Sequence, residues 1–347
     1  MRKQSDNIRR NNKSNKNQKP KKKRIVLKIF LFILLVVACI GGAFAYRVQK
    51  NGGGLKGVVT TVIGNDNVKV EDLDKLQFLL LGDNQGLTDS IMACSYDPKT
   101  QDASILSIPR DTFIGKNKNK ATAYDKINSR YQSDNPETML DLVNELTGLE
   151  LEYYIVVETD ALIELVDTIG GVKFDVPIDM NYDDPADNLH IDLEAGEQLI
   201  DGDKAEQLLR FRHNNNGTSY PVEYGDNDYG RMRTQREFIQ AALSQTLQVS
   251  NITKIGNLIK IVQENVITNM EYDTIKDYIP YVIDFNTESL QTAALPGVSE
   301  KCNGVWIFLH NKVQSEEIIN QLFFPELLEE EEEETTETTE NVVNEVR

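Results

Sequence analysis

Residues 77–83 read Gln77-Phe78-Leu79-Leu80-Leu81-Gly82-Asp83, and this run decides the fold. Phe78 to Leu81 show no apolar/polar alternation, so a strand built from them is covered on both faces. Working outward, Gly82-Asp83 ends the strand and a polar loop carries Thr88-Asp89-Ser90. Ile91 to Tyr96 is predicted as a second strand, Asp97 to Thr100 as a turn, and Ala103 to Ile108 as a third strand leading at once into Pro109-Arg110-Asp111. Helical spacing covers Pro136 to Leu146 and Asp160 to Ile169, stopped by Gly148 and by Gly170-Gly171, with strands at Tyr153 to Val157 and Val172 to Val176. Asp179 to Asp192 reads as an acidic loop. Further helices are predicted at 229–248, 251–268, 271–284 and Lys312 to Phe323, and a strand at 290–295. Alternating strands and helices imply an α/β sandwich, a central mixed sheet flanked by helices.

The 347-residue chain has a formal net charge of −18, unevenly spread. Residues 1–24 hold eleven Lys or Arg against one acid, Asp6, and Lys28, Arg47 and Lys50 follow. The first fifty residues therefore carry +13 and residues 51–347 carry −31. Such a domain repels polyanions in bulk, which excludes non-specific nucleic-acid binding. Ile25 to Tyr46 contains one charge, Lys28, and is long enough to cross a hydrocarbon core of about 30 Å. The basic block before it puts the N-terminus in the cytoplasm and the rest outside. A cleaved signal peptide competes, but the apolar run is long and lacks a convincing small-x-small cleavage site followed by a mature start. The predicted organisation is a cytoplasmic basic tail (1–24), a transmembrane helix (25–46), an extracellular stalk (47–74) with Val58 to Ile63 as an extra strand, a catalytic domain (75–250), its C-terminal helical extension (251–325) and an acidic disordered tail (326–347). The three cysteines, Cys39, Cys94 and Cys302, form no disulfide framework and no metal spacing.

From residue 51 onward there are eight arginines, and five of them lie between 210 and 236. Read as a strand, Arg210-Phe211-Arg212 sends both arginines to one face and Phe211 into the packing. Asp228 is predicted to cap a helix on which Arg231 and Gln235, four apart, share a face. Arginine offers planar donor forks and a permanent charge, so the cluster predicts a socket for two or more phosphates. The competing reading is a surface ion-pair network with the abundant Asp and Glu. Asp83, Asp89, Arg110 and Lys126 come from other segments to complete a constellation. Two carboxylates beside many cations suit a Mg²⁺ that also binds phosphate oxygens. Asp83 as a turn residue, Asp89 as a loop cap and Lys126 paired to Asp125 are the plainer alternatives.

With Leu81-Gly82-Asp83, Thr88-Asp89-Ser90, Ile108-Pro109-Arg110-Asp111, Asp125-Lys126-Ile127-Asn128, Gly170-Gly171-Val172, Arg210-Phe211-Arg212 and Asp228-Tyr229-Gly230-Arg231 with Gln235, the chain resembles the LytR–CpsA–Psr family of cell-wall ligases. The resemblance implies an α/β domain enclosing an apolar tunnel for a polyprenyl chain. It also implies Mg²⁺-dependent transfer of a glycopolymer phosphate from undecaprenyl pyrophosphate to peptidoglycan at the cytoplasmic membrane. By that resemblance Asp83 and Asp89 hold Mg²⁺, and Arg110, Lys126, Arg210, Arg212, Arg231 and Gln235 hold the pyrophosphate. Asp89, Arg110 and Asp111 are the expected catalytic residues, Asp89 or Asp111 taking the acceptor hydroxyl's proton. Thr234 stands where relatives often carry an arginine, which leaves Arg233 and Arg236 without an assigned role. Two alternatives stay open, a polyprenyl-pyrophosphate phosphatase and a non-catalytic, membrane-anchored lipid-binding regulator. Teichoic acid and capsular polysaccharide are not distinguished.

Overall fold

The computed structural model of the protein describes residues 42–43, 45–64 and 68–327. The expected basic tail, nearly all of the apolar run at 25–46 and the acidic tail beyond 327 lie outside the described residues. Among the described residues no helix is long and apolar enough to cross a membrane.

After helical residues at 45–50, helix α1 (Gly54–Ile63) stands where an extra strand over Val58 to Ile63 was expected. The threonines tolerate the helix because their hydroxyls donate back one turn, Thr60 to the Lys56 carbonyl and Thr61 to the Gly57 carbonyl. Strands β1 (Leu76–Asn84), β2 (Leu87–Asp97) and β3 (Asp102–Ser107) form an antiparallel meander. Helix α2 (Glu137–Thr147) crosses to β4 (Tyr153–Glu158), which pairs parallel to β1, and α3 (Thr159–Ile169) follows. Two short ribbons pair β5 (Val172–Val176) with β8 (Gly196–Ile200) and β6 (Met180–Asp184) with β7 (Leu189–Leu193). The predicted acidic loop is thus largely a hairpin, its inward Met180, Ile191 and Leu193 buried between acidic residues that face out. Then come α4 (Gly202–Arg210), α5 (Asp228–Thr246), α6 (Ile255–Asn265), β9 (Val266–Thr268), α7 (Tyr272–Val282), β10 (Gln291–Ala294), β11 (Gly297–Cys302), β12 (Val305–His310) and α8 (Lys312–Phe323).

The central sheet is mixed, in the order β10-β3-β2-β1-β4-β9. Residues 251–325 therefore add two strands to it as well as helices. One sheet face buries Leu79, Leu81, Ile91 and Leu106 under α2 and α8, against Met139, Val143, Leu322 and Phe323. The other presents Phe78, Leu80 and Met92 towards Ile239 of α5 in a smaller cluster. A separate core joins the β5–β8 ribbon to α4 and α5 around Phe174, Phe211 and Phe238. Cys94 and Cys302 are both buried free thiols.

Two departures from expectation shape the site. Arg210 ends a helix rather than starting a strand. Asp201 caps α4 by accepting from the Lys204 amide at 3.0 Å, and the buried Ala205 and Leu208 carry the helical stripe to Arg210. Thr88-Asp89-Ser90 lies on β2, because the β1–β2 turn needs only Gln85 and Gly86, both at positive φ (54° and 83°). In the β1–β2 register Gly82 faces Ser90 and Asp83 faces Thr88, so Asp89 is the extra residue of a bulge.

Phe211 is fully buried and edge-on to Tyr220, ring centroids 5.4 Å apart, and it anchors the segment that presents Arg212. Phe211→Ala should cost about 3–5 kcal/mol of stability. A lower midpoint of urea unfolding at an unchanged slope checks it.

Candidate functional site

The site lies where β1 and β3 end and α5 begins. The bulge at Asp89 turns this carboxylate out of the ladder, a common device beside functional sites. Arg110 leaves β3 after Pro109 and its Nη1 donates to Asp89 Oδ1. Arg231, 1% exposed, reaches Asp228 Oδ1 at 2.7 Å, Asp89 Oδ2 at 3.7 Å and the Asp89 carbonyl at 3.1 Å. Arg212 Nε and Arg110 Nε each stand 3.9 Å from Asp228 Oδ1. Asp228 does not cap α5, since no side chain bonds the helix's first amides. It is the second anion of the cluster. Gly230 makes this packing possible, because a Cβ there would lie 2.2 Å from the Gly225 carbonyl oxygen and 2.3 Å from the Tyr220 ring.

Three guanidiniums thus share two carboxylates. The Nε groups of Arg110, Arg212 and Arg231 are buried without a hydrogen-bond partner among the described residues. Burial together with the neighbouring Arg110 and Arg231 charges pulls the Arg212 pKa below its ordinary value. Burial pushes Asp89 up, but Arg231 and Arg110 outweigh it and hold its carboxyl below the usual range. Burial alone would lower Arg110, yet Asp89 and Asp228 raise it. The cluster carries excess positive charge and unused donors, the conditions for an anion site.

The remaining predicted residues divide. Arg210 bonds Glu206 at 2.7 Å, one helical turn back, so it stands apart from the three-arginine cluster. Gln235 is buried, gives its Nε2 to the Leu209 carbonyl at 3.0 Å and keeps its Oε1 unpartnered. Both line a cavity of about 250 Å³ whose body is Leu80, Met92, Val157, Leu162, Leu209 and Ile239, between sheet and helices, and which Asp83 and Asp89 also border. Lys126 pairs with Asp111 at 3.0 Å rather than with Asp125, which instead accepts from the Thr122 amide at 2.8 Å. Arg233 lies outside the cluster, bonded to Glu237 at 2.7 Å and lying over the Tyr224 ring. Arg236 is buried behind it and donates to Ser107 Oγ at 2.9 Å, with burial lowering its pKa to about 10.

Asp83 is 6% exposed, and its oxygens accept from the Tyr131 hydroxyl at 2.7 Å and the Gly86 amide at 2.6 Å. It forms no ion pair among the described residues. Those residues contain no group of three or more His, Cys, Asp or Glu able to hold a metal. Mg²⁺ needs fewer, because water and phosphate fill most of its shell. Asp83, buried without a cation beside it, and Asp89 on the same cavity wall fit that requirement.

Sequence reasoning assigned no role to Glu206 or Tyr131 and made Asp228 a cap. Asp228 and Glu206 were legible as partners at i,i+3 and i,i+4 to Arg231 and Arg210. Tyr131, which fixes Asp83 from 48 residues away, gave no local signal.

The architecture is a mixed-sheet α/β sandwich with a cationic cluster beside an apolar cavity. Residues 47–323 match the LytR_cpsA_psr family, and the chain belongs to it. It is 26% identical over 318 residues to the polyisoprenyl-teichoic acid–peptidoglycan teichoic acid transferase TagU of Bacillus licheniformis, covering 88% of this chain and 97% of that protein. In fold it is similar to TagV of B. subtilis, with a TM-score of 0.59 at 22% identity over 72% of this chain and 96% of the other. It is also similar to TagT bound to LIIa-WTA, with a TM-score of 0.55 at 21% identity over 75% and 94% of the two chains.

Because Arg231 and Arg110 hold the Asp89 carboxyl below the range of a free aspartate, its pairing stabilises the fold fully above that ordinary range. The contribution is lost as pH falls through the lowered folded value. Asp89→Asn should be less stable than wild type near neutral pH, and the gap should shrink below about pH 4, read by urea unfolding across pH.

Proposed function

We propose that the protein is a Mg²⁺-dependent phosphotransferase that moves an anionic glycopolymer, teichoic acid or a capsular polysaccharide, from an undecaprenyl-pyrophosphate carrier onto peptidoglycan. It works outside the cell, held in the cytoplasmic membrane by one helix at 25–46 with the N-terminus inside. The observation that carries this reading is the electrostatic imbalance at Asp89, with three arginines, Arg231 buried and Arg110 and Arg212 partly so, for two carboxylates and three buried Nε donors unused. A pyrophosphate supplies the missing charge and acceptors, and the cavity lined by Leu80, Val157, Leu162 and Ile239 takes the adjoining apolar chain. The teichoic acid–peptidoglycan transferase name of the TagU relatives and the wall-teichoic-acid complex of TagT support the same reaction class.

In the reaction, an acceptor sugar hydroxyl attacks the sugar-proximal phosphorus and undecaprenyl phosphate leaves. Arg110, Arg212 and Arg231 bind the two phosphates and neutralise charge that builds on the leaving group. Arg210 and Gln235 stand at the cavity wall and orient the lipid-proximal end. Mg²⁺ held by Asp83 and Asp89 would polarise the phosphoryl oxygens. Asp89 stays ionised beside its arginines and keeps Arg110 and Arg231 in place. Asp111, next to Lys126, is the carboxylate left to accept the hydroxyl proton.

Incubating the purified chain with Mg²⁺, a lipid-pyrophosphate-linked polymer and peptidoglycan tests the proposal. Arg212→Lys keeps the charge but loses the fork, so transfer should fall about tenfold to a hundredfold, while Lys99→Ala in the exposed β2–β3 turn changes nothing. A folded Arg212→Lys variant with undiminished transfer sinks the socket, and release of free polymer phosphate without transfer makes the protein a phosphatase.

The topology has its own test. Protease added to intact cells should remove the domain and spare about the first two dozen residues. Protection of the domain refutes the external location.

A further inference from the structure

Resting on the function proposed above, we infer that the hairpin between Arg110 and Asn128 carries a binding strip for the repeating, anionic part of the donor polymer, beyond its pyrophosphate. The backbone lays this out. The Ile127 amide donates to the Thr112 carbonyl, Asn128 to Arg110, and Phe113 bridges Lys126 antiparallel. The base of the hairpin therefore holds Arg110 and the Lys126–Asp111 pair at the site. Its tip lies at most about 16 Å away, five residues from Arg110 to Gly115 at roughly 3.3 Å each, and the turn closed by the Thr112 amide on the Pro109 carbonyl shortens that reach. The tip carries Lys116, Lys118 and Lys120, all exposed, and Tyr124 at 76% exposure.

Residues 116–130 hold five cations against Asp125, a net of +4, within a region 51–347 that carries −31. An acidic ectodomain repels a polyanion everywhere except along such a strip, so the strip chooses the side on which the polymer leaves the socket. The tip is also held in shape. Lys118 pairs with Glu300 of β11 at 2.8 Å, and the Asn303 side chain donates to the Ala121 carbonyl at 3.0 Å. Lys116 and Lys120 enter no ion pair among the described residues, so their charges stay available. A membrane surface is the other polyanion within reach of lysines, but the topology disfavours it. The chain arriving from the N-terminal side enters β1 at Leu76, while the hairpin hangs from the end of β3. Both strands pair antiparallel to β2, so these two points lie at opposite ends of the sheet.

The full-length protein in detergent would be titrated with a lipid-free poly(glycerol phosphate) oligomer, a neutral dextran and phosphatidylglycerol vesicles. Wild type should bind the oligomer with an affinity that falls as salt rises, and should ignore dextran. Lys116→Gln, Lys118→Gln and Lys120→Gln combined should weaken oligomer binding about tenfold and flatten the salt dependence. Lys116→Glu with Lys120→Glu, which leaves the Lys118–Glu300 pair intact, should weaken it further. Unchanged oligomer affinity in both variants overturns the inference, and so does a loss confined to the vesicles. Undecaprenyl pyrophosphate without polymer is measured separately. Its failure to bind wild type counts against the proposed function, whereas the oligomer titration reads the strip alone.

Discussion

The structure turns on one unequal charge balance. Asp89 stands between Arg110 and Arg231, and Asp228 joins Arg231 and faces Arg212. Among the described residues no further carboxylate pairs with the three arginines, and Arg210's separate Glu206 contact lies outside the set. Drawing three guanidiniums, one of them fully buried, around two anions is costly without a further partner, because charge moved into a low dielectric loses hydration. The protein tolerates this by leaving the carboxylates partly wet, with Asp89 and Asp228 side chains 40% and 28% exposed. What converges there comes from a β-bulge, the turn that follows β3, the segment that follows α4 and the first turn of α5.

The same elements shape what lies behind the cluster. On the α2 and α8 face the sheet is densely covered, with Leu79, Leu81 and Leu106 at 0% exposure. On the α5 face Leu80 and Met92 border open space instead, and α3 and α5 arch over it. A well-packed interior would fill such a gap, since each missing methylene costs stability. Polar and apolar halves of one amphiphile would be held by these adjoining halves of one site. Arg233 and Arg236 lie on other faces of α5, Arg233 half-exposed and paired with Glu237, Arg236 buried against Ser107.

The amino-acid sequence by itself determined the layers of the sandwich and the identity of most site residues. Local patterns carry that information: the unbroken apolar run Phe78 to Leu81, the glycine stops after α2 and α3, and the density of arginine between 210 and 236. The pairing of Arg210 with Glu206 and of Arg231 with Asp228 was equally local, at one helical turn. Only the tertiary structure decided where these groups meet. The β1–β2 register makes Asp89 a bulged residue instead of a loop cap, a one-residue shift that no propensity records. Arg210 looked like a strand residue because alternation over three positions is too short to separate a strand from a helix end, and the buried Leu208 and Phe211 settled it. Tyr131 reached Asp83, and Arg212 came to share Asp228 with Arg231 and Arg110, through contacts between segments far apart in the chain. Those contacts depend on burial and geometry, which exist only once the chain has packed.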